Sequence, residues 1–350
     1  MTAKLLLVGS VPFETAEEVL DTAGPKLGAY LSSLPDGEVM DRRYWILRLS
    51  YQVFNGHPDL ETIKRPKPVD GVERVIPSGL ADAWQFKLRP GVTRLRFDQP
   101  GWRFGYAKDA INSYAIFRAL RDRGRIPVGV RFQVSIPSAN SACPPIQFAM
   151  DDLEAVRSGY AEAMAAEVAN ICAHIPHDDL AIQWDCSWEI TDVYGGTQLP
   201  VATALVRNRR QFSVLSAAVP EQVHLGVHLC FGTFGGWPRF APADLGGAVD
   251  LANMAIAAAG RRMDWMHIPT LDTVDDAFYA PLSRLRAGKT NIYLGMIHSM
   301  DTFAARLAVA RRHLPAFGLA AYCGFGRLEP EAMPQVFEDH LAALKIAGMA

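Results

Sequence analysis

Short apolar runs alternate along the chain with longer segments of helical periodicity. The runs at 4–10 (KLLLVGS), 126–137 (IPVGVRFQVSIP), 180–188 (LAIQWDCSW), 222–232 (QVHLGVHLCFG), 262–270 (RMDWMHIPT), 291–299 (NIYLGMIHS) and 318–326 (GLAAYCGFG) have the length and composition of buried strands. Segments 151–175, 243–260 and 301–314 repeat apolar residues at helical spacing, the first behind an Asp cap. A helix near 15–32 precedes 34–41 (LPDGEVMD), the candidate for an eighth strand. Strand then helix, repeated, predicts a parallel sheet. Eight such repeats predict an α/β fold of the closed (β/α)8 TIM-barrel type, one domain over 1–350. Segment 58–104 is rich in Pro and Arg and breaks the rhythm. It is expected to form a long excursion or hairpin between the second and third strands, over the barrel mouth.

A formal charge of −2 over 350 residues gives no basic footprint for nucleic acid and no polybasic membrane segment. No run approaches the roughly 20 apolar residues of a membrane span. The start, MTAKLLLVGSVPF, lacks the long apolar core and cleavage site of a secretory signal. Cys143, Cys172, Cys186, Cys230 and Cys323 are odd in number and scattered, which reads as reduced thiols in a cytoplasmic protein. The expected partner is a small molecule, possession of a homo-oligomeric state being open.

The ends of the predicted strands carry the chemistry. Alternate residues of a strand face the same way, so His228 and Cys230 point together at the end of the fifth strand. The sixth ends with His267, the seventh with His298 and the eighth with Cys323. The C-terminal rim of a barrel is where its active site sits. Thiolate and imidazole are the usual zinc ligands, and three of them leave an exchangeable position. A lone His-x-Cys pair is more often core than metal site. The second cysteine, at the matching end of another strand, tips the balance toward metal.

VHLCFG, IHS and AYCGFGR together resemble the catalytic domain of cobalamin-independent methionine synthase. That superfamily includes uroporphyrinogen decarboxylase and zinc-dependent thiol alkyltransferases. The resemblance implies that His228, Cys230 and Cys323 bind Zn2+, which activates a thiol acceptor. It also implies that VGSVPF supplies a Gly-Ser-x-Pro opening at Gly9, Ser10 and Pro12, that Asp185 binds substrate, and that His298 handles a proton. Two positions depart from the pattern. Pro269 stands where the family has a glutamate ligand, with His267 two residues earlier as a substitute. Cys186 stands in place of the glutamate after the family's aspartate, which argues against amino-acid recognition of the homocysteine type.

Other candidates flank these. Asp185 ends an apolar strand and either pairs with an arginine or faces the pocket. Cys186 points oppositely, into the core. Glu189 is an acid or base at the mouth, or a solvated loop charge. Asp36, Glu38 and Arg42 lie close together in SLPDGEVMDRRYWI, and arginines there suit a substrate carboxylate or phosphate. The GWRFGY segment (101–106), with Trp184, Trp188, Phe231, Phe234, Trp237 and Phe325, suggests an aromatic pocket, or barrel-top packing. The glycine-rich GTFGG and GFG read as turns clearing the rim. His174, His177, His313 and His340 read as solvent-facing helix residues. The expected function is zinc-dependent one-carbon or alkyl transfer. The alternatives are a zinc-dependent carbon–carbon lyase, releasing formaldehyde or carbon dioxide from an aromatic compound, and a non-catalytic ligand-binding barrel.

Overall fold

A computed structural model describes residues 4–97 and 103–350. The strands are β1 (Leu5–Leu6), β2 (Ser33–Pro35), β3 (Leu60–Lys64), β4 (Gln85–Leu88), β5 (Arg131–Pro137), β6 (Leu180–Cys186), β7 (His224–Leu229), β8 (Trp265–Pro269), β9 (Asn291–Gly295) and β10 (Gly318–Ala320). Eight of them pair in the order β1-β10-β9-β8-β7-β6-β5-β2, every pair parallel. A parallel bridge from Leu5 to Leu31, with Lys4 N donating to Tyr30 O at 2.9 Å, ties β1 to the approach of β2 and closes the ring. The helices outside it are α1 (Ala16–Leu27), α2 (Leu47–Gln52), α3 (Tyr106–Asp122), α4 (Ala139–Ala142), α5 (Leu153–His174), α6 (Trp188–Val193), α7 (Ala204–Ala217), α8 (Gly246–Ala258), α9 (Asp276–Tyr279), α10 (Met300–His313) and α11 (Met333–Ile346). The expected (β/α)8 barrel is the observed fold. No helix among the described residues is long and apolar enough to cross a membrane.

The barrel interior is layered. Leu6, Ala181, Trp265, Tyr293 and Ala320 form an apolar plug at the bottom. Gly226 makes room for it, because a Cβ there would lie 1.8 Å from the Trp265 ring. Above the plug sits an amide layer. Gln133 donates to Leu7 O and Val8 O, both at 3.1 Å, and Gln183 donates to Val8 O at 2.6 Å. These side chains take over carbonyls that a neighbouring strand would otherwise satisfy, which accounts for β1 ending at Leu6. The third layer is the site.

The excursion is a two-stranded antiparallel hairpin, β3 with β4. Its Leu80 and Ala83 reach the cavity at the barrel mouth. Asp98 to Trp102, which include the start of the GWRFGY segment, lie outside the described residues. The Asp cap expected at α5 is used differently: Asp152 makes no cap hydrogen bond and instead accepts from Leu88 N at 2.8 Å, tying the hairpin to the barrel. His340 is buried at 1% exposure rather than solvent-facing, its Nδ1 on Val336 O within α11. His313 bonds Asp276 at 2.9 Å, while His174 is exposed and His177 half-buried.

Candidate metal centre and its cavity

Register places the histidines. Asp185 pairs with His228 across β6 and β7, and His228 pairs with His267 across β7 and β8. Partners in a parallel ladder share a face, so the three side chains stand at one level inside the barrel. Cys230 follows His228 by two residues on that face, and Cys323 arrives from the loop after β10. Cys230 Sγ lies 3.3 Å from Cys323 Sγ, and Cys323 Sγ lies 3.7 Å from His228 Nε2. The sulfurs are too far apart for a disulfide, whose S–S length is about 2.0 Å. Tetrahedral zinc, with Zn–S near 2.3 Å and Zn–N near 2.0–2.1 Å, sets ligand atoms roughly 3.5–3.8 Å apart. All three donor atoms lie within 4.8 Å of one another. The donor set and its spacing fit a zinc ion.

The thiols share their protons unequally. A hydrogen bond from Cys323 outweighs burial and holds the Cys230 thiol well below its ordinary range, and Gly232 N–H adds a bond at 3.3 Å. Donating to that thiolate pushes Cys323 well above its ordinary range, and burial adds to this. The pair thus favours a proton on Cys323 over one on Cys230, and a metal bound there takes both sulfurs as thiolates.

His267 is placed behind the donor set rather than in it. Its Nε2 lies 2.9 Å from Ala321 O, which can only accept, so Nε2 carries the proton. Burial holds the ring neutral, far below its ordinary pKa, which leaves Nδ1 as an acceptor. That Nδ1 is 2.7 Å from His228 Nδ1, which must then donate. The relay leaves His228 Nε2 unprotonated and turned toward Cys323. His267 thus orients a ligand and selects its tautomer. His267→Ala is expected to lower zinc affinity about 10–100-fold, measured by competition with a chelator. Unchanged affinity would contradict the relay.

The centre lies at one side of a cavity that opens to solvent. Its wall includes Ser10, Glu38, Asp185, Trp45, Trp188, Phe234, Gln147 and the arginines Arg43, Arg239 and Arg327. Asp185 faces in, its Oδ1 accepting from Gln183 Nε2 at 2.9 Å. Burial, and repulsion from Glu38, raise its carboxyl well above the usual range. Burial likewise pushes Glu38 up to about 8, although Arg42 and Arg48 pull the other way. The two carboxyls therefore hold a proton between them near neutral pH, or take up a cationic group. Gly9 permits this: Glu38 Oε1 sits 2.4 Å from where a Cβ of residue 9 would be. The segment carrying Glu38 and Trp45 has positive φ at Glu38 (46°), Met40 (58°) and Trp45 (55°), strain of the kind that collects at functional sites.

Several expected site residues stand elsewhere. Asp36 and Arg42 pair with each other at 2.8 Å, and Arg42 also meets Asp109 at 3.3 Å, so Arg42 is not free for a substrate. Glu189 is neither at the mouth nor solvated. It is 0% exposed on α6, and Ser138, Ser141 and Gln211 donate to it at 2.5, 2.7 and 2.6 Å. Trp184 alternates with Asp185 and faces the surrounding helices, as does Cys186. Phe231 packs edge-on to Tyr194 and Phe240, Trp237 stacks on Tyr322, and Phe325 packs on His340; none of the three lines the cavity. Of the expected aromatics, Trp188 and Phe234 do. His298 also stays outside: its Nε2 is 3.0 Å from Thr270 O, and burial beside Arg306 lowers it to about 4. Arg43 and Trp45 belong to the segment whose arginines were expected to suit a substrate anion, and both line the cavity; Arg239 and Arg327 were not among the expected site residues. Only their position after strand ends could have pointed to them.

Two solved structures share this architecture. One is a B12-independent methionine synthase from Shewanella sp. W3-18-1 in complex with selenomethionine, with a TM-score of 0.57 and 13% identity, covering 99% of this chain and 97% of that one. The other is a putative vitamin-B12 independent methionine synthase from Listeria monocytogenes, with a TM-score of 0.55 and 16% identity, covering 95% of this chain and 86% of that one. The likeness is one of fold. No protein-family model matches the chain, and no curated protein sequence does.

Proposed function

We propose that this protein is a zinc-dependent transferase that moves a methyl or other alkyl group to a small-molecule nucleophile, a thiol first among them. The observation that carries this reading is the convergence of His228, Cys230 and Cys323, from the end of β7 and the loop after β10, in the wall of one cavity. Bound there, zinc would supply the Lewis acidity that keeps a substrate sulfur deprotonated near neutral pH. The fold shared with methionine synthases, one of them holding selenomethionine, supports the reading.

The chain's own groups divide the remaining work. His267 fixes the His228 tautomer, and Gly232 N–H steadies the Cys230 sulfur. Glu38 and Asp185 give the proton leaving a thiol a place to go, or hold an ammonium group on the substrate. Trp45, Trp188 and Phe234 present apolar faces that exclude water from the reacting atoms. Neutral and hydrogen-bonded to a carbonyl, His298 is given no proton-transfer role.

Zinc-loaded protein offered a panel of thiols and methyl donors is expected to form a methyl thioether, followed by mass spectrometry. Formaldehyde or carbon dioxide released from a hydroxylated aromatic compound, with neither thiol nor donor present, would contradict transfer and select a carbon–carbon lyase. Binding of the whole panel without turnover would select a ligand-binding barrel.

A further inference from the structure

We infer that the cavity has a second pole: the substrate carries an oxyanion, such as a carboxylate or phosphate, that Arg43, Arg239 and Arg327 bind while its reacting group sits at His228, Cys230 and Cys323. The metal half of this statement rests on the function proposed above; the anion half rests on the arginines.

All three arginines line the one cavity, yet they come from three separate segments: a 3-10 turn at Met40–Tyr44 and the loops after β7 and β10. Among the described residues, none has a carboxylate within 4.0 Å. Their side-chain partners are neutral hydroxyls instead. Arg43 donates to Tyr44 OH at 3.3 Å, Arg239 to Thr191 Oγ1, and Arg327 to Thr233 Oγ1 at 3.1 Å. The contrast lies one residue away, where Arg42 meets two aspartates. Glu38 does not neutralise the trio, since the arginines acting on it are Arg42 and Arg48; the sulfurs of Cys230 and Cys323 act on Arg239 and Arg327, and Glu14 and Glu329 act on Arg43, all from beyond ion-pair distance. Each of the three keeps its charge and most of its five donors.

The forks are also held in place. Arg239 lies over the Trp188 ring at 4.7 Å, Arg327 over Phe234 at 5.3 Å and Arg43 over Tyr44 at 5.2 Å. Stacking fixes a guanidinium while leaving its in-plane N–H groups available. The glycine-rich loops explain themselves in the same way. Gly232 has φ +82°, and a Cβ there would meet Arg239 Nε at 3.0 Å. Arg239 N donates to Gly232 O at 3.0 Å, so the loop folds back and returns its arginine to the cavity. At Gly326 a Cβ would lie 3.1 Å from Arg43 Cβ.

Charge balance points the same way. A zinc dication with two thiolates is neutral, so the metal end supplies no net counter-charge to an anionic substrate. The arginines do, in a fork geometry that matches carboxylate and phosphate. An exposed rim alone would leave such residues solvated singly. Here Arg43 and Arg239 are half-buried and only Arg327 is exposed.

The test uses full-length protein carrying cobalt in place of zinc. A ladder of ω-mercaptocarboxylates is titrated against mercaptoalcohols of matching chain length, read by the thiolate-to-cobalt absorption. The best carboxylate is expected to bind roughly 10–100-fold tighter than its alcohol. Arg239→Gln and Arg327→Gln are each expected to remove most of that ratio while leaving the alcohol's affinity intact, which also shows that fold and metal survive. Equal affinities in the parent, or an undiminished ratio in both variants, would overturn the proposal. If cobalt binds but no thiol alters its spectrum, the thiol reading fails by itself. The anion pole is then judged by calorimetry with propionate and with inorganic phosphate: binding lost in Arg239→Gln upholds it, no binding overturns it, and the tighter anion names the group.

Discussion

Cys323→Ser is expected to weaken zinc binding about 10³-fold, with little change in the fold of the metal-free protein. Zinc held by thiolate and imidazole gains about 12 kcal/mol, so one of three protein ligands accounts for roughly 4 kcal/mol. Cys323 is half-buried on the loop after β10, and its sulfur touches mainly Cys230 and His228. The hydroxyl of serine keeps the size and loses the soft anionic donor. Chelator competition on parent and variant measures the difference. Because thiols must lose their protons to bind the metal, zinc affinity of the parent should rise with pH and binding should release protons. The variant should lose much of that dependence. Equal affinities would mean that the cysteine pair is packing, not a ligand set.

The second large effect is on stability, and its sign is opposite to intuition. Glu38→Gln is expected to make the metal-free protein more stable at pH 8. An unfolded glutamate ionises near pH 4.5, while the folded one keeps its proton to about 8. Between those values the unfolded state has given up a proton that the folded state retains, so stability falls as pH rises across the window. Above about 8 the full penalty is present. Each pKa unit is worth about 1.4 kcal/mol. With Asp185 sharing the burden, relief of about 2–4 kcal/mol is expected at pH 8 and almost none at pH 4. Chemical denaturation of parent and variant across this range reads it. A variant less stable than the parent at pH 8 would show that Glu38 is a satisfied structural carboxylate. Stability gained by removing Glu38 would mark it as kept for function.

Much of the barrel was readable because its signals are periodic. Buried strands are apolar and recur with helices between them, and residues two apart share a face, so His228 with Cys230 and the distant Cys323 could be set on one rim. What was not readable depended on partners that periodicity does not encode. Asp36 and Arg42 read as a substrate clamp, and only coordinates reveal that they bind each other. His267 reads as a substitute ligand because it lies two residues before Pro269, on the face where the family's glutamate would fall. Which nitrogen meets which partner is decided by Ala321 O, from a different strand end. Glu189 reads as a rim acid, yet two serines and a glutamine from α4, its flank and α7 satisfy it in the core. Arg239 and Arg327 sit on loops without pattern, and the lack of ion-paired acids at the cavity arginines is a property of space, not of sequence. β1 was expected to run over 4–10 and pairs only at Leu5 and Leu6, because the glutamines of β5 and β6 bond the carbonyls that follow.

X-ray absorption at the zinc edge of the loaded protein reads the ligand set of His228, Cys230 and Cys323 itself. One ion per chain is expected, with two sulfurs at about 2.3 Å and one protein nitrogen at about 2.0–2.1 Å in its shell. A shell without sulfur, or protein that takes up no zinc under reducing conditions, would contradict it.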